Sequence, residues 1–274
     1  MIRVIIAILN LALCITTVPA GERPANGGER TKIVLIGHQP DHPYGSHMYL
    51  HECRVLAKCL EKTPGVETAV SDGWPKDAAV LEGVDVLVFY SSPAGDILLR
   101  GPHAARAERL LADGIGYAAI HWATGARGEE LGERYLRVLG GWFDTGFGAL
   151  DVSRTRLIQV DPDHPACRGW EEYDLRDEFY LNTRFLPETK PILKVKTAGR
   201  EQVVMWSYER PDSNGGRSFG TTLGHFHDNF EIDAFRRAIV NGILWTAHIE
   251  VPAEGAPVAL SDEDTALPPA PPQE

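Results

Sequence analysis

The sequence has few cysteines, few basic residues and no long apolar run after its first twenty positions. Four cysteines in 274 residues are too few for the disulfide framework of a small secreted domain. A helix that spans a bilayer needs ~20 consecutive apolar residues, and no later segment supplies them. Lys and Arg number 27 against 38 Asp and Glu, a net charge of −11. This balance argues against nucleic acid or an anionic membrane surface as the main partner.

Several catalytic motifs are also absent. The sequence contains no Gly-x-Ser-x-Gly elbow and no glycine-rich loop that would cradle phosphates, so no nucleotide or flavin cofactor is expected. Asp177 and Glu178 are adjacent, and in an extended segment they would face opposite sides. They therefore cannot flank one glycosidic bond as a pair of catalytic carboxylates.

The amino terminus has the pattern of a secretory signal peptide. Met1–Ala20 begins with one basic residue and an apolar run, and it ends on Val-Pro-Ala, which puts small residues before a cut at Gly21. We expect export, so that the mature protein is secreted or periplasmic. A membrane anchor and attachment of a lipid at Cys14 are the alternatives.

The rest of the chain divides by composition. Residues 21–30 are rich in Gly, Pro and Glu and are interpreted as a linker. Residues 251–274 are acidic and proline-rich with no aromatic residue, so we expect a disordered tail. The folded part is then one domain over residues 31–250, because no linker-like stretch divides it.

Within this domain, short apolar runs alternate with helical patterns. The first strands are continuously apolar, which is typical of parallel strands covered by helices on both faces. This predicts a doubly wound α/β sheet. Later strands alternate in polarity, so part of the sheet is expected to be antiparallel or an added β-layer. The predicted strands are 32–37, 66–70, 84–90, 115–120, 156–160, 191–196, 202–208 and 217–222, and the helices are 46–61, 102–113, 129–139 and 232–248.

Histidines follow three of the predicted strands. His38 and His47 come after the first, His121 after the fourth, and His225 with His227 after the last strong strand. Ligands of open α/β sheets bind beyond the carboxyl ends of the strands, so these side chains are expected to converge. Imidazole can bind a metal, transfer protons or bond sugar hydroxyls.

These placements give a set of candidate roles. The remaining histidines are interpreted as surface or packing residues. The candidates are catalytic His121, Glu178 and His225; substrate-binding Trp122, Tyr180 and His227; and a divalent metal, zinc for example, on His38, His47 and His121.

Several short motifs occur in order along the chain: Gly37-His38 with His42-Pro43, Gly116-Tyr-Ala-Ala-Ile-His121, Asp163-His164-Pro165, Asp177-Glu178-Phe179-Tyr180, Thr221-Thr222-Leu223-Gly224-His225 and Asn241-Gly242-Ile243-Leu244-Trp245. With these motifs, the chain from residue 32 to residue 245 resembles the ThuA-like (trehalose utilisation) domain family. The resemblance implies a flavodoxin-like fold, the three-layer sandwich of class I glutamine amidotransferases, with a mainly parallel sheet and extra strands in the second half.

The resemblance also bears on activity. Amidotransferases carry a nucleophilic cysteine on a strand-to-helix turn and a histidine late in the chain. Here that turn carries His121 and no cysteine, while His225 falls where the late histidine would be. Glutamine hydrolysis through a thioester is therefore excluded, because imidazole cannot replace the thiolate.

Three functions remain open at this point. The family's association with trehalose and keto-sugars implies an exported enzyme that acts on a carbohydrate or keto-sugar, by histidine-based acid–base or metal-assisted chemistry. The alternative is a non-catalytic sugar-binding module on an amidotransferase-like scaffold. A structural accessory domain of a surface assembly is the third. In each of the first two, the partner is a small-molecule sugar or glycoside.

Overall fold

The structure, a computed structural model, describes residues 30–270. The predicted signal peptide, Cys14 and residues 21–29 of the predicted linker lie outside the described residues, as do residues 271–274. None of the helices between residues 30 and 270 combines the length and apolar character that crossing a membrane requires.

Strands and helices alternate in the first half, and strands dominate the second. The strands are β1 (Thr31–Gly37), β2 (Val66–Asp72), β3 (Val86–Tyr90), β4 (Gly116–Ile120), β5 (Gly141–Trp142), β6 (Ala149–Arg156), β7 (Ile158–Gln159), β8 (Asp174–Leu181), β9 (Arg184–Phe185), β10 (Lys190–Thr197), β11 (Arg200–Glu209) and β12 (Arg217–Thr221). The helices are α1 (Tyr49–Leu60), α2 (Ala94–Leu99), α3 (Ala104–Ala112), α4 (Glu129–Leu139), α5 (His227–Phe230), α6 (Asp233–Thr246) and α7 (Asp262–Thr265).

Eight strands form one sheet in the order β2-β1-β3-β4-β12-β11-β10-β7. The five strands from β2 to β12 run parallel, and β11, β10 and β7 are antiparallel. The mainly parallel α/β sheet and its extra strands in the second half are therefore confirmed. The parallel half aligns the carboxyl ends of β1, β3, β4 and β12 at one edge, where ligands of such sheets bind.

The core lies on both faces of this sheet. Alternate residues of β1 point to opposite faces: Ile33 and Leu35 pack in one apolar cluster together with α1 and α6. Val34 and Ile36 pack in the other, with residues of α2, α3 and α4. A continuously apolar strand is thus the expected consequence of burial on both sides, and the result is a three-layer sandwich.

The second half differs from the prediction in several strands. A strand was expected over residues 156–160, whereas β6 ends at Arg156 and only the two-residue β7 follows it. β6 instead pairs with β8 in a separate two-stranded sheet. β6 alternates between exposed and half-buried residues, so it lacked the apolar run from which the other strands were predicted.

The segment after residue 250 also differs from the prediction of a disordered tail. Residues 251–270 pack on the domain, and Val251 and Val258 are buried. The guanidinium of Arg236 donates to the Val258 carbonyl, and Asn241 accepts the backbone N–H of Ala256 at 2.8 Å. Apolar residues of this segment and polar partners on α6 thus hold it against the domain.

Candidate functional site

Three histidines reach the same edge of the sheet from different turns. His121 directly follows β4, His225 follows β12, and His47 precedes α1. Gly224 supplies the positive φ of 114° that turns the chain into His225. His47 and His121 have φ values of 50° and 56°, a left-handed conformation that costs a non-glycine residue ~1–3 kcal/mol and clusters at functional sites.

The side chains of these histidines meet with Glu178 of β8, and we call the four residues the histidine–glutamate cluster. His47 Nε2 lies 2.9 Å from His121 Nε2 and 3.0 Å from His225 Nδ1. His121 Nε2 and His225 Nδ1 are 3.3 Å apart. Glu178 Oε2 lies 3.5 Å from His225 Nδ1 and 3.7 Å from His121 Nε2. Four potential ligand atoms thus converge on one point.

In His121 and His47, the hydrogen bond made by Nδ1 determines that Nε2 is the nitrogen that faces the centre of the cluster. His121 Nδ1 lies 2.8 Å from the carbonyl oxygen of Thr222, which can only accept, so Nδ1 carries the proton. His47 Nδ1 donates in the same way to the Asp41 carboxylate, also at 2.8 Å. In the neutral rings, both Nε2 atoms therefore direct lone pairs into the cluster, where a hydrogen-bond donor or a cation can satisfy them.

A proton does not supply that cation at neutral pH. Burial, together with the neighbouring histidines, lowers the pKa of His47 to about 2. Burial and His47 likewise hold the pKa of His121 far below its ordinary value. Burial alone would raise the pKa of Glu178, but its hydrogen bond with His225 and the nearby imidazoles outweigh this effect and lower it. His47 and His121 are therefore neutral imidazoles, and Glu178 is a carboxylate.

This donor set fits a divalent metal ion. Zinc binds imidazole nitrogen at about 2.0–2.1 Å and also accepts carboxylate oxygen, so one ion can satisfy nitrogens that lie about 3 Å apart. The histidine–glutamate cluster is therefore able to hold such an ion. His47 and His121 are fully enclosed, whereas Glu178 keeps 13% of its side chain exposed, which leaves an approach from solvent.

Buried or bonded groups behind the cluster hold its ligands, and sequence reasoning missed them. Asp177, itself fully buried, accepts the backbone N–H groups of Gly224 at 2.7 Å and of His225 and Glu178 at 2.9 Å. Asp41 orients His47 as described. The sequence position of each carboxylate could have indicated this role, since Asp177 precedes Glu178 and Asp41 lies inside the histidine-rich loop.

The remaining sequence candidates divide into two groups. Trp122 and Tyr180 lie at the cluster: the Trp122 and His47 ring centroids are 5.6 Å apart, and the Tyr180 hydroxyl is 3.3 Å from His121 Nε2. Trp122 is half-buried and Tyr180 is buried. Both can contact a ligand that approaches the histidine–glutamate cluster.

His38 and His227 are not brought into the cluster. His38 Nε2 accepts the backbone N–H of Ser92 at 2.7 Å, and Nδ1 lies 2.6 Å from the carbonyl of Gln39. With both nitrogens bonded to backbone, His38 has no lone pair left for a metal. His227 Nδ1 instead pairs with Glu52 at 2.6 Å, in a separate group that also includes His51.

The chain is similar to known proteins in family and in fold. The family model for trehalose utilisation (ThuA) matches residues 37–246. A putative ThuA-like protein from Bacteroides uniformis has a TM-score of 0.60 and 16% identity over 84% of this chain and 95% of its own. A glutamine amidotransferase from Thermotoga maritima has a TM-score of 0.43 and 10% identity, over 80% and 97%. No curated protein matches. Because the family model spans most of the chain, this protein belongs to the ThuA, or trehalose utilisation, family.

Proposed function

We propose that this protein is a metal-dependent enzyme that acts on a carbohydrate or keto-sugar. The observation that carries the proposal is the meeting of three imidazole nitrogens, two of them with inward lone pairs, within 3.3 Å of one another at the carboxyl ends of the parallel strands. The sugar is supported by the family's description and by Trp122 at the site, because aromatic rings stack on sugar faces.

His47, His121 and His225 are the proposed ligands. Three protein ligands with an open fourth position are typical of catalytic zinc, and such an ion polarises a bound carbonyl or hydroxyl oxygen. Glu178 Oε2 is further from the nitrogens than they are from one another, and it keeps access to solvent. We assign it as the general base that takes a proton from the substrate.

Tyr180 and Trp122 position the sugar in this proposal. Burial holds the pKa of Tyr180 well above its ordinary value, so its hydroxyl remains a hydrogen-bond donor at neutral pH. Glutamine amidotransfer is not proposed, because His121 stands where the nucleophilic cysteine would be. The three cysteines of the described chain, Cys53, Cys59 and Cys167, are free and buried.

Export belongs to the same proposal and rests on the sequence pattern of Met1–Ala20. The test is expression of the full chain in a Gram-negative host, followed by mass measurement of the protein in the periplasm and medium. A mature mass that begins at Gly21 is expected. A lipid adduct on Cys14, or an uncleaved chain, would contradict it.

The central test is metal analysis of the purified full chain, with His121→Ala, Glu178→Gln and a control, His103→Gln. His103 stacks on Trp74 with 4.5 Å between ring centroids and is not in the cluster. We expect one divalent ion per chain in the wild type, His103→Gln and Glu178→Gln, and loss of the ion in His121→Ala.

Turnover is measured on a panel of trehalose, other disaccharides and keto-sugars, with products followed by NMR. Glu178→Gln is expected to keep the ion and lose turnover, because the amide cannot accept a proton. A metal-free wild type, or turnover that is unchanged in His121→Ala, would overturn the proposal. Sugar binding without turnover would instead establish the binding module.

A further inference from the structure

The two-stranded sheet of β6 and β8 carries a ladder of side chains beside the histidine–glutamate cluster. Residues directly opposite each other in an antiparallel pair lie on the same face, with Cβ atoms about 4.5–5.5 Å apart. Alternate residues of one strand also share a face. The face that includes the site residues is formed by the pairs Leu150–Tyr180, Val152–Glu178, Arg154–Arg176 and Arg156–Asp174.

Two successive rungs of this ladder differ in charge pairing. Arg156 has acidic partners, Asp174 at 3.7 Å and Glu172 at 3.8 Å. On the next rung Arg154 faces Arg176, and like charges directly opposite each other are destabilising. Neither of these two guanidiniums lies within 4 Å of a carboxylate in the part of the chain that the structure describes, and both residues are exposed.

Each guanidinium is nevertheless held in place. Arg176 lies over the Phe226 ring with 4.1 Å from its Cζ to the centroid, and Phe226 directly follows the proposed ligand His225. Arg154 donates to the Asp174 carbonyl at 3.4 Å. Arg176 and Glu178 are two residues apart on one face of β8, a separation of about 7 Å. The Arg154–Arg176 pair is thus the next pair along this face from Glu178, the proposed general base, about one sugar length away along the backbone.

We propose that Arg154 and Arg176 form the binding site for an acidic group of the substrate, so that the enzyme acts on a carbohydrate that bears a carboxylate or phosphate. This rests on the proposed function and names its substrate class. Guanidinium binds both anions through paired N–H donors. An anion between the two arginines would also relieve their mutual repulsion. In a chain with a net charge of −11, such recognition requires a local pair of cations of this kind.

The test measures binding of three probes to the metal-loaded full chain by calorimetry: glucuronate, glucose 6-phosphate and neutral glucose. The variants are Arg154→Gln and Arg176→Gln, and the matched control is Arg156→Gln, which is on the same face of β6 but already paired with carboxylates. At least one acid is expected to bind more tightly than glucose. Each test variant should weaken the binding of that acid by about tenfold or more, which corresponds to the loss of a hydrogen bond to a charged group. The control should leave the affinity unchanged.

The two acids separate carboxylate from phosphate recognition. Equal affinity for all three probes, or an equal loss in Arg156→Gln and Arg176→Gln, would overturn the acidic-substrate proposal. Turnover of neutral sugars by a metal-loaded protein, unchanged in Arg154→Gln and Arg176→Gln, would also overturn it and leave the proposed function intact. Absence of bound metal in the purified wild type would instead count against the proposed function itself.

Discussion

Asp177 Oδ1 accepts the backbone N–H of His225 at 2.9 Å, so a buried carboxylate of one strand holds the loop that carries a proposed ligand. Burial raises the pKa of Asp177 to about 6, although its backbone hydrogen bonds oppose that rise. Its neighbour Glu178 points to the other face of β8 and into the cluster. One extended dipeptide thus supplies a positioning carboxylate on one side and a reactive one on the other.

The first prediction concerns Asp177→Asn. The amide would place an N–H₂ donor against a backbone N–H, so at least one of the hydrogen bonds from Gly224 and His225 is lost. Removing such support behind a metal ligand typically lowers metal affinity by about 10- to 100-fold. The loss of a buried hydrogen bond also destabilises by about 1–3 kcal/mol. Chelator competition and thermal unfolding measure the two effects.

The control for this variant is Asp174→Asn, on the same strand. Asp174 is exposed, and its partner Arg156 lies 3.7 Å away on the surface, where an ion pair contributes about 0–1 kcal/mol. Metal affinity equal to that of the wild type is expected in the control. If the two variants bind metal equally well, Asp177 does not position His225 for this purpose.

The sequence was sufficient to predict the fold and most of the proposed ligands. The buried strands were recognisable in the sequence as continuous apolar runs. Their order implied that His121 and His225 would meet at the carboxyl edge of the sheet. β8 was not predicted as a strand because exposed charged residues occupy alternate positions in its first half. Glu178, a candidate carboxylate from its residue type, lies beside the three histidines in the structure.

What the sequence could not predict is how each side chain bonds. His38 follows a parallel strand just as His121 does, yet the backbone at Ser92 and Gln39 occupies both of its nitrogens. His227 was likewise grouped with His225 because the two residues are close in sequence. In the structure the His227 side chain instead pairs with Glu52. Such outcomes depend on contacts between segments far apart in the chain, which no local pattern contains.

The second prediction concerns Asp41→Asn. Asp41 accepts the Nδ1 proton of His47 at 2.8 Å, and a carboxylate in this position orients a ligand ring and raises its basicity. We expect metal affinity to fall by about 10- to 100-fold, with little change in unfolding temperature because Asp41 is exposed. Asp72→Asn is the control, since Asp72 bonds Gln39 in the adjoining loop at 3.1 Å. Equal affinity in both variants would contradict this role.

The third prediction separates two histidines of the same loop. His47→Gln is expected to lose the metal ion, because it removes a nitrogen that lies 2.9 Å from His121 Nε2. His38→Gln is expected to keep one ion per chain, since both nitrogens of His38 are already bonded to backbone. Elemental analysis of the two purified variants is the measurement. Loss of metal from both would restore His38 to the ligand set.

The fourth prediction concerns the ordered segment after residue 250. Val258→Thr keeps the shape of the side chain but buries a hydroxyl, since Val258 is completely buried. Such burial costs about 1–3 kcal/mol in proteins, so the free energy of unfolding should fall by that amount in a urea titration. Val160→Thr is the control, because Val160 is 41% exposed. Equal stability of the two variants would show that the tail does not pack on the domain.

The last prediction concerns pH and His164, which packs against Trp245 with 5.1 Å between ring centroids. Burial, opposed by Asp161 and reinforced by nearby arginines and a lysine, lowers the pKa of His164 from 6.5 to about 4. The unfolded chain therefore binds the proton first as the pH falls. The associated stability is present above pH 6.5 and is lost between about pH 6.5 and pH 4, up to about 3 kcal/mol.

His164→Asn does not titrate, and its side-chain oxygen can still accept the Ala166 N–H that His164 Nδ1 accepts at 3.1 Å. Urea unfolding at pH 8 and pH 5 should show a larger loss of stability in the wild type than in the variant, and equal losses would contradict the assignment.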